Sequence, residues 1–241
     1  ALSGEAVVTL AFEDVAEMPR QWIAGGAVAQ AIIAKSGDDI VLVSVDESAR
    51  QPSENLASTP MAQIDFASLD KVVLGSGADA RATFAAGIEE WKLLIAAGLG
   101  GIGREALRLA SVYACERKQF GQFIGEFQGI SHPLADRHCD VEGGIFLTWK
   151  AVRDIADGAA TAGAAVSVAH WWANKACGEA VAQALHTFGG YGLTTEYDIY
   201  LYNLRAKAWP LVQGDPEAAL AEAGERLYGD VKVALPDVGD V

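Results

Sequence analysis

Hydrophobic and polar positions follow two different rhythms along this chain, and the change comes near residue 78. Before it, short apolar runs are broken by turn residues. Residues 6–12, 31–34, 40–45 and 61–66 read as strands, separated by Gly25-Gly26, by Ser36-Gly37-Asp38-Asp39 and by the polar stretch 46–60. Runs this short and so bounded predict a small, mostly antiparallel sheet.

After residue 78 the rhythm is helical. No proline interrupts residues 79–119, and Leu94, Leu99, Ile102, Leu107, Leu109, Val112 and Tyr113 recur at spacings of three and four. A second helix is expected over 131–157, with Ser131 as its N-cap and Pro133 in its first turn. A third is expected over 164–185, and shorter ones around 198–207 and 216–228. Long helices with short connections pack as a bundle. The class is therefore α+β: a short β-domain over 1–77, an α-helical bundle over 78–229, and a solvated acidic tail over 230–241.

Composition narrows the field of functions. The chain has 241 residues, 51% of them apolar and 21% charged, which suits a globular core rather than disorder. Its formal net charge is −14. A nucleic-acid partner needs a basic footprint to neutralise phosphates, and an anionic membrane surface is disfavoured for the same reason. No stretch reaches the roughly 18 apolar residues of a membrane span. The first residues, Ala1-Leu2-Ser3-Gly4-Glu5, carry neither the basic nor the apolar part of a signal peptide. Cys115, Cys139 and Cys177 form no motif and read as reduced thiols of a cytoplasmic protein. His132 and His138 flank Asp136, but their spacing does not bring them to one helix face, so no metal site is expected.

One motif invites a nicotinamide reading. Gly98-Leu99-Gly100-Gly101-Ile102-Gly103 fits G-x-G-x-x-G, follows the apolar run 93–97, and has Glu116 at about the distance of a ribose-binding acid. An NAD-dependent Rossmann-type fragment is thus an alternative. Against it, residues 106–115 read as continuing helix and no strand–helix alternation follows to build a parallel sheet. A glycine-rich patch inside a helix is then a surface for close helix packing, at roughly 1 kcal/mol per glycine in helix stability.

Two further blocks carry more information. The first is Tyr113-Ala114-Cys115-Glu116-Arg117-Lys118-Gln119-Phe120-Gly121, followed by Phe127-Gln128 and Leu134-Ala135-Asp136. Arg117 offers a fixed fork of donors suited to a pyrophosphate, and Gln128 can donate or accept beside it. The second is Phe188-Gly189-Gly190-Tyr191-Gly192 with Thr195-Glu196-Tyr197, and a weaker third is the Lys175 segment 173–180. Together these resemble the acyl-CoA dehydrogenase signatures: Glu-Arg-x-x-Phe-Gly, Phe-Gln and Leu-Ala-Asp in one place, Gly-Gly-x-Gly in another. The resemblance covers residues 78–215 well and 1–77 loosely. It implies FAD as cofactor, with Arg117, Gln119, Phe120, Gln128, His186, Gly189 and Gly190 reaching across a subunit interface to hold the adenosine and pyrophosphate end of a neighbour's flavin.

The departures from that family are as informative. Its desaturation removes a proton beside the thioester carbonyl and needs a carboxylate base in a dry pocket. Counting from Gly189 and Gly190 puts the usual base position at Gln213, a neutral amide that cannot take a proton. The alternative base position, on the first long helix, falls at Trp91; Glu90 is one residue away and turned by about 100°. Asp215 replaces a hydroxyl residue that faces the flavin in the family. Glu90 and Asp215 are therefore outside candidates for a base, and no catalytic residue is expected. The family's N-terminal helical domain is absent from these residues. Glu13-Asp14 and Trp22-Ile23-Ala24 echo its own-flavin segment only faintly.

The half-site that serves a neighbour's flavin thus looks intact, and the half-site for the chain's own flavin does not. The expectation is a catalytically silent subunit beside a catalytic acyl-CoA dehydrogenase subunit that holds the acyl-CoA, as in bacterial α2β2 enzymes acting on bulky acyl groups such as steroid side chains. A scaffold without a role in oxidation is the alternative from another class.

Overall fold

The computed structural model describes residues 4–55 and 59–229; the acidic tail expected over 230–241 lies outside the described residues. The chain forms two compact units. One takes the chain up to Trp91 together with Thr195–Gln213, and the other takes Lys92–Thr194 and the chain from Gly214 onward.

The first unit holds seven strands: Val8–Leu10 (β1), Arg20–Ile23 (β2), Ala31–Ser36 (β3), Asp39–Ser44 (β4), Gln51–Pro52 (β5), Ala62–Asp65 (β6) and Lys71–Ser76 (β7). They make two sheets, β1-β3-β4-β7 and β2-β6-β5. Only the β1–β3 pairing is parallel, so the expected antiparallel character holds, but one expected sheet is two. A core lies between them: Ile32, Ala34, Val41 and Val43 from one sheet meet Ile23, Ala62, Ile64 and Phe66 from the side of the other. Removing each large side chain from water contributes roughly 1.5–3 kcal/mol.

Three strands, β2, β5 and β7, went unread; β5 is only the two exposed residues Gln51 and Pro52, and the other two lack a regular hydrophobic alternation. In β2 the buried positions are Ile23 and the polar Gln21, whose amide donates to Glu13 O at 3.1 Å and Met18 O at 2.8 Å, while Trp22 is 54% exposed. In β7 the apolar residues Val72, Val73 and Leu74 run consecutively and are all more than half exposed, so no alternation marks the strand. Asp14 pins the β3–β4 turn: it accepts the Gly37 N–H at 3.0 Å, the Ala16 N–H at 2.9 Å and a contact from Lys35 Nζ at 3.2 Å.

The helices are Gly77–Glu116 (α1), Gln128–Ala156 (α2), Ala162–Phe188 (α3), Ile199–Ala208 (α4) and Glu217–Tyr228 (α5). The helix expected from 131 starts earlier, because Phe127, not Ser131, takes the cap position. The Ser131 hydroxyl instead donates back to Phe127 O at 3.1 Å from within the first turn. No helix of the described residues is long and apolar enough to cross a membrane.

The glycine-rich motif is not a dinucleotide turn. Residues 98–103 lie inside the unbroken 40-residue α1, which corrects the nicotinamide alternative. Its glycines let α2 approach. A Cβ on Gly100 would stand 2.8 Å from Ile145 Cγ1, and one on Gly103 would stand 2.9 Å from Val141 Cγ2. On the other side of α2, Gly144 receives Trp172 of α3, whose indole N–H donates to Asp140 O at 2.9 Å. An ionic cluster ties α5 to this bundle. Glu222 accepts Lys92 Nζ at 2.7 Å, the Ser167 hydroxyl at 3.0 Å and Arg226 at 2.6 Å, with Lys92 only 4% exposed.

Candidate functional site

The two sequence blocks meet in the second unit. Tyr113, in the last turn of α1, stacks on Phe188, the last residue of α3, with ring centroids 4.3 Å apart. One helical turn on, Arg117 lies with its guanidinium 5.6 Å from the centroid of the Tyr191 ring. Its backbone N–H donates to Tyr113 O at 2.9 Å, continuing the helical pattern one residue past α1. An arginine on an aromatic face keeps its donor edges free to turn outward.

Past Arg117 the chain makes a hairpin of Lys118–Gln119 (β8) and Gln122–Phe123 (β9). The turn is Phe120-Gly121, with φ of 53° and 83°; two positive φ values are what the twisted two-residue hairpin turn requires. Phe120 is the only non-glycine residue with positive φ among the described residues, and it is 94% exposed. Its ring meets Phe127 edge to face at 6.3 Å. The Gln119 amide donates to Lys118 O at 2.7 Å, and Lys118 Nζ sits 4.5 Å from the Phe123 ring centroid.

The end of α3 supplies the facing backbone. Gly189 caps the helix with φ 61°, its N–H reaching the carbonyls of His186 and Leu185. Added Cβ atoms on Gly189 or Gly190 would meet nothing within 4 Å, so this backbone lies open. Gly192 is the opposite case: its Cβ would stand 3.0 Å from Leu185 O and 3.1 Å from Phe188 Cβ. His186 is exposed, and Gln128, the first residue of α2, is exposed as well.

Arg117 and the Gly189-Gly190 corner are therefore joined through the Tyr113–Phe188 and Arg117–Tyr191 contacts. In the sequence Tyr113, Phe127, Phe188 and Tyr191 stand only as letters of the two motif blocks. Their aromatic character at the motif ends was the available signal.

The candidates for a base have their own local surroundings. Gln213 ends a 3₁₀ turn over Trp209–Gln213, and Glu90 is an exposed residue of α1, both in the first unit. Trp91, at the alternative base position, packs on Phe12 with centroids 4.6 Å apart. Asp215 accepts the Glu217 N–H at 3.0 Å and so serves the start of α5.

Comparison with known proteins agrees with the blocks. The family model for the acyl-CoA dehydrogenase C-terminal domain matches residues 82–228. Acyl-CoA dehydrogenase FadE12 of Mycobacterium tuberculosis is 38% identical over 129 residues, which is 53% of this chain and 33% of that protein. The match thus spans about a third of the relative's length. Among solved structures, a variant of the Tcur3481–Tcur3483 steroid acyl-CoA dehydrogenase superposes with a TM-score of 0.82 at 23% identity, covering 94% of this chain and 68% of that one. The ChsE4–ChsE5 complex from Mycobacterium tuberculosis gives 0.79 at 23%, covering 97% and 69%. With most of its length matched by the family model, the chain belongs to the acyl-CoA dehydrogenase family.

Proposed function

We propose that this chain is a non-catalytic subunit of an FAD-dependent acyl-CoA dehydrogenase and that it holds the adenosine and pyrophosphate end of a flavin seated in a catalytic partner subunit. In this reading residues 1–77 are a shortened middle β-domain and 78–229 the bundle. The observation that carries it is the meeting of Arg117 with Tyr191 beside the open Gly189-Gly190 backbone.

The residues present suit the group. Arg117 brings a planar fork of donors for a pyrophosphate. Gln119 and Gln128 are exposed amides able to serve ribose or phosphate oxygens, and His186 adds a further ring nitrogen. The open glycine backbone admits a ligand where a side chain would stand in the way. Phe120 presents an apolar face to whatever lies across the interface. When bound, the flavin would take the hydride that leaves the acyl chain. At the two positions where the family seats its base, Gln213 is neutral and Trp91 is packed on Phe12; the outside candidates are Asp215, which accepts the Glu217 N–H at the start of α5, and Glu90, an exposed carboxylate beside Trp91.

The fold likeness to a steroid acyl-CoA dehydrogenase and to a two-component complex supports a hetero-oligomer, of α2β2 type, acting on a bulky acyl-CoA in the partner's site. The test is purification alone and with co-expressed acyl-CoA dehydrogenase partners from the same operon. Flavin absorption only in the complex, near one flavin per pair of chains and lost in Arg117→Ala, is the expected result. A yellow, active homomer of this chain would overturn the reading. A stable but colourless complex would leave only the scaffold role.

A further inference from the structure

Arg117 differs from the other arginines of the second unit in what holds it. Arg104, Arg108, Arg137, Arg153 and Arg226 each have a carboxylate oxygen within 3.2 Å. Among the described residues no carboxylate pairs with Arg117, although Glu116 is its neighbour in sequence and the chain carries 32 acidic residues. Its guanidinium lies instead over the Tyr191 ring, 5.6 Å from the centroid.

The ring is set by its own turn. Tyr191 stands in a 3₁₀ turn over Gly189–Leu193. Its carbonyl accepts both the Thr194 N–H at 3.1 Å and the Thr194 hydroxyl at 2.9 Å. One residue on, Gly192 lies where a Cβ would crowd Leu185 O and Phe188, so the turn is seated tightly on the end of α3. The arginine is anchored from the other side. Its N–H bonds Tyr113 O, and the Tyr113 ring stacks on Phe188. Both members of the contact are thus carried by backbone fixed within this one chain.

A ring and a carboxylate do different things to an arginine. A carboxylate orders the guanidinium and cancels its charge, so an incoming anion must displace it. An aromatic face orders the guanidinium by a weaker attraction and leaves its charge and its in-plane donors for another group. We infer that Tyr191 is a positioning residue: it holds Arg117 in place with its charge uncancelled, ready for an anion with phosphate geometry. The inference rests on the flavin reading for the identity of that anion and on nothing else in it. Tyr191 is 44% exposed, so the attraction is of the weak, solvent-facing kind, and its loss should weaken the hold on the anion by about two- to fivefold.

The test reads the contact first without flavin. The full 241-residue chain is labelled with nitrogen-15 arginine, and the Nε–H signal of Arg117 is identified by its disappearance in Arg117→Lys. That signal should report an ordered side chain in the wild type and in Tyr191→Phe, and a mobile one, with an order parameter below about 0.6, in Tyr191→Ala. Flavin is then measured in the co-expressed complex. Its Kd should rise about two- to fivefold in Tyr191→Ala and stay near the wild-type value in Tyr191→Phe. An Arg117 side chain already mobile in the wild type, one still ordered in Tyr191→Ala, or a Tyr191→Phe variant that behaves like Tyr191→Ala would each overturn the positioning role. Arg117 released in Tyr191→Ala with flavin held as before would uphold the contact and overturn the flavin reading instead.

Discussion

Tyr113 and Phe188 stack with their planes 22° from parallel, and through that contact the end of α1 and the end of α3 share one aromatic joint. The rings belong to different motif blocks, 75 positions apart in sequence by their numbers. Their contact explains why both blocks are needed to make one surface. Phe188 is buried, so Phe188→Ala should cost about 3–5 kcal/mol. Arg117→Ala should leave the denaturant midpoint within about 0.5 kcal/mol, as surface changes do, while reducing flavin retained by the complex. Urea unfolding with flavin release measured on both variants separates the two effects.

The glycine pair in the middle of α1 should respond with opposite signs. Gly100→Ala drives a Cβ against Ile145 and should destabilise by about 1–3 kcal/mol. At Gly101 nothing lies within 4 Å, so Gly101→Ala should stabilise by about 0.5–1 kcal/mol through helix propensity alone. Equal shifts in thermal midpoint would contradict the packing role given to this face.

Glu222 is the hub that compensates a buried ammonium. Glu222→Ala would leave Lys92 without that carboxylate in a site 4% open, and should cost about 3 kcal/mol, the low end for a broken buried pair because Glu222 is itself partly exposed. Lys92→Met, which removes the charge and keeps the stem, should cost clearly less. The same ordering should survive in 0.5 M salt, since a buried pair is poorly screened.

Cys177 gives the chain an alkaline limit. Burial pushes its thiol up from 9.0 to about 12, outweighing the backbone contact at Gly103. The native state therefore holds its proton where the unfolded chain sheds it. The stability this provides is complete below pH 9 and is lost as pH rises from 9 to 12, at no more than about 1.4 kcal/mol per pH unit. Cys177→Ala should flatten that part of the stability profile. Native thiol titration should label Cys115 and Cys139, which are exposed, and reach Cys177 only on unfolding.

Much of this molecule could be read before it was seen, and the parts that could not have physical reasons. The long helices were legible because their apolar residues keep a helical period over many turns. The surface that joins the two motif blocks was legible as letters but not as geometry: nothing local to residue 113 announces that it will meet residue 188. β2 escaped because Gln21 is buried through two hydrogen bonds while Trp22 faces out. The start of α2 was misplaced because Ser131 looks like a cap yet bonds backward inside the turn. In each case a polar side chain satisfied a local backbone group in a way that hydropathy does not register.

The hairpin tip sets the chain's stability against its company. Holding Phe120 at positive φ costs roughly 1 kcal/mol, a cost glycine would avoid, and the ring it displays is almost wholly in water. If the proposed assembly forms, a chain made in excess of its partner would carry a strained, sticky point on its surface, and balanced synthesis of the two polypeptides would be a requirement written into one backbone angle. Phe120→Gly should yield a chain that is more soluble and slightly more stable on its own, and a poorer member of any assembly.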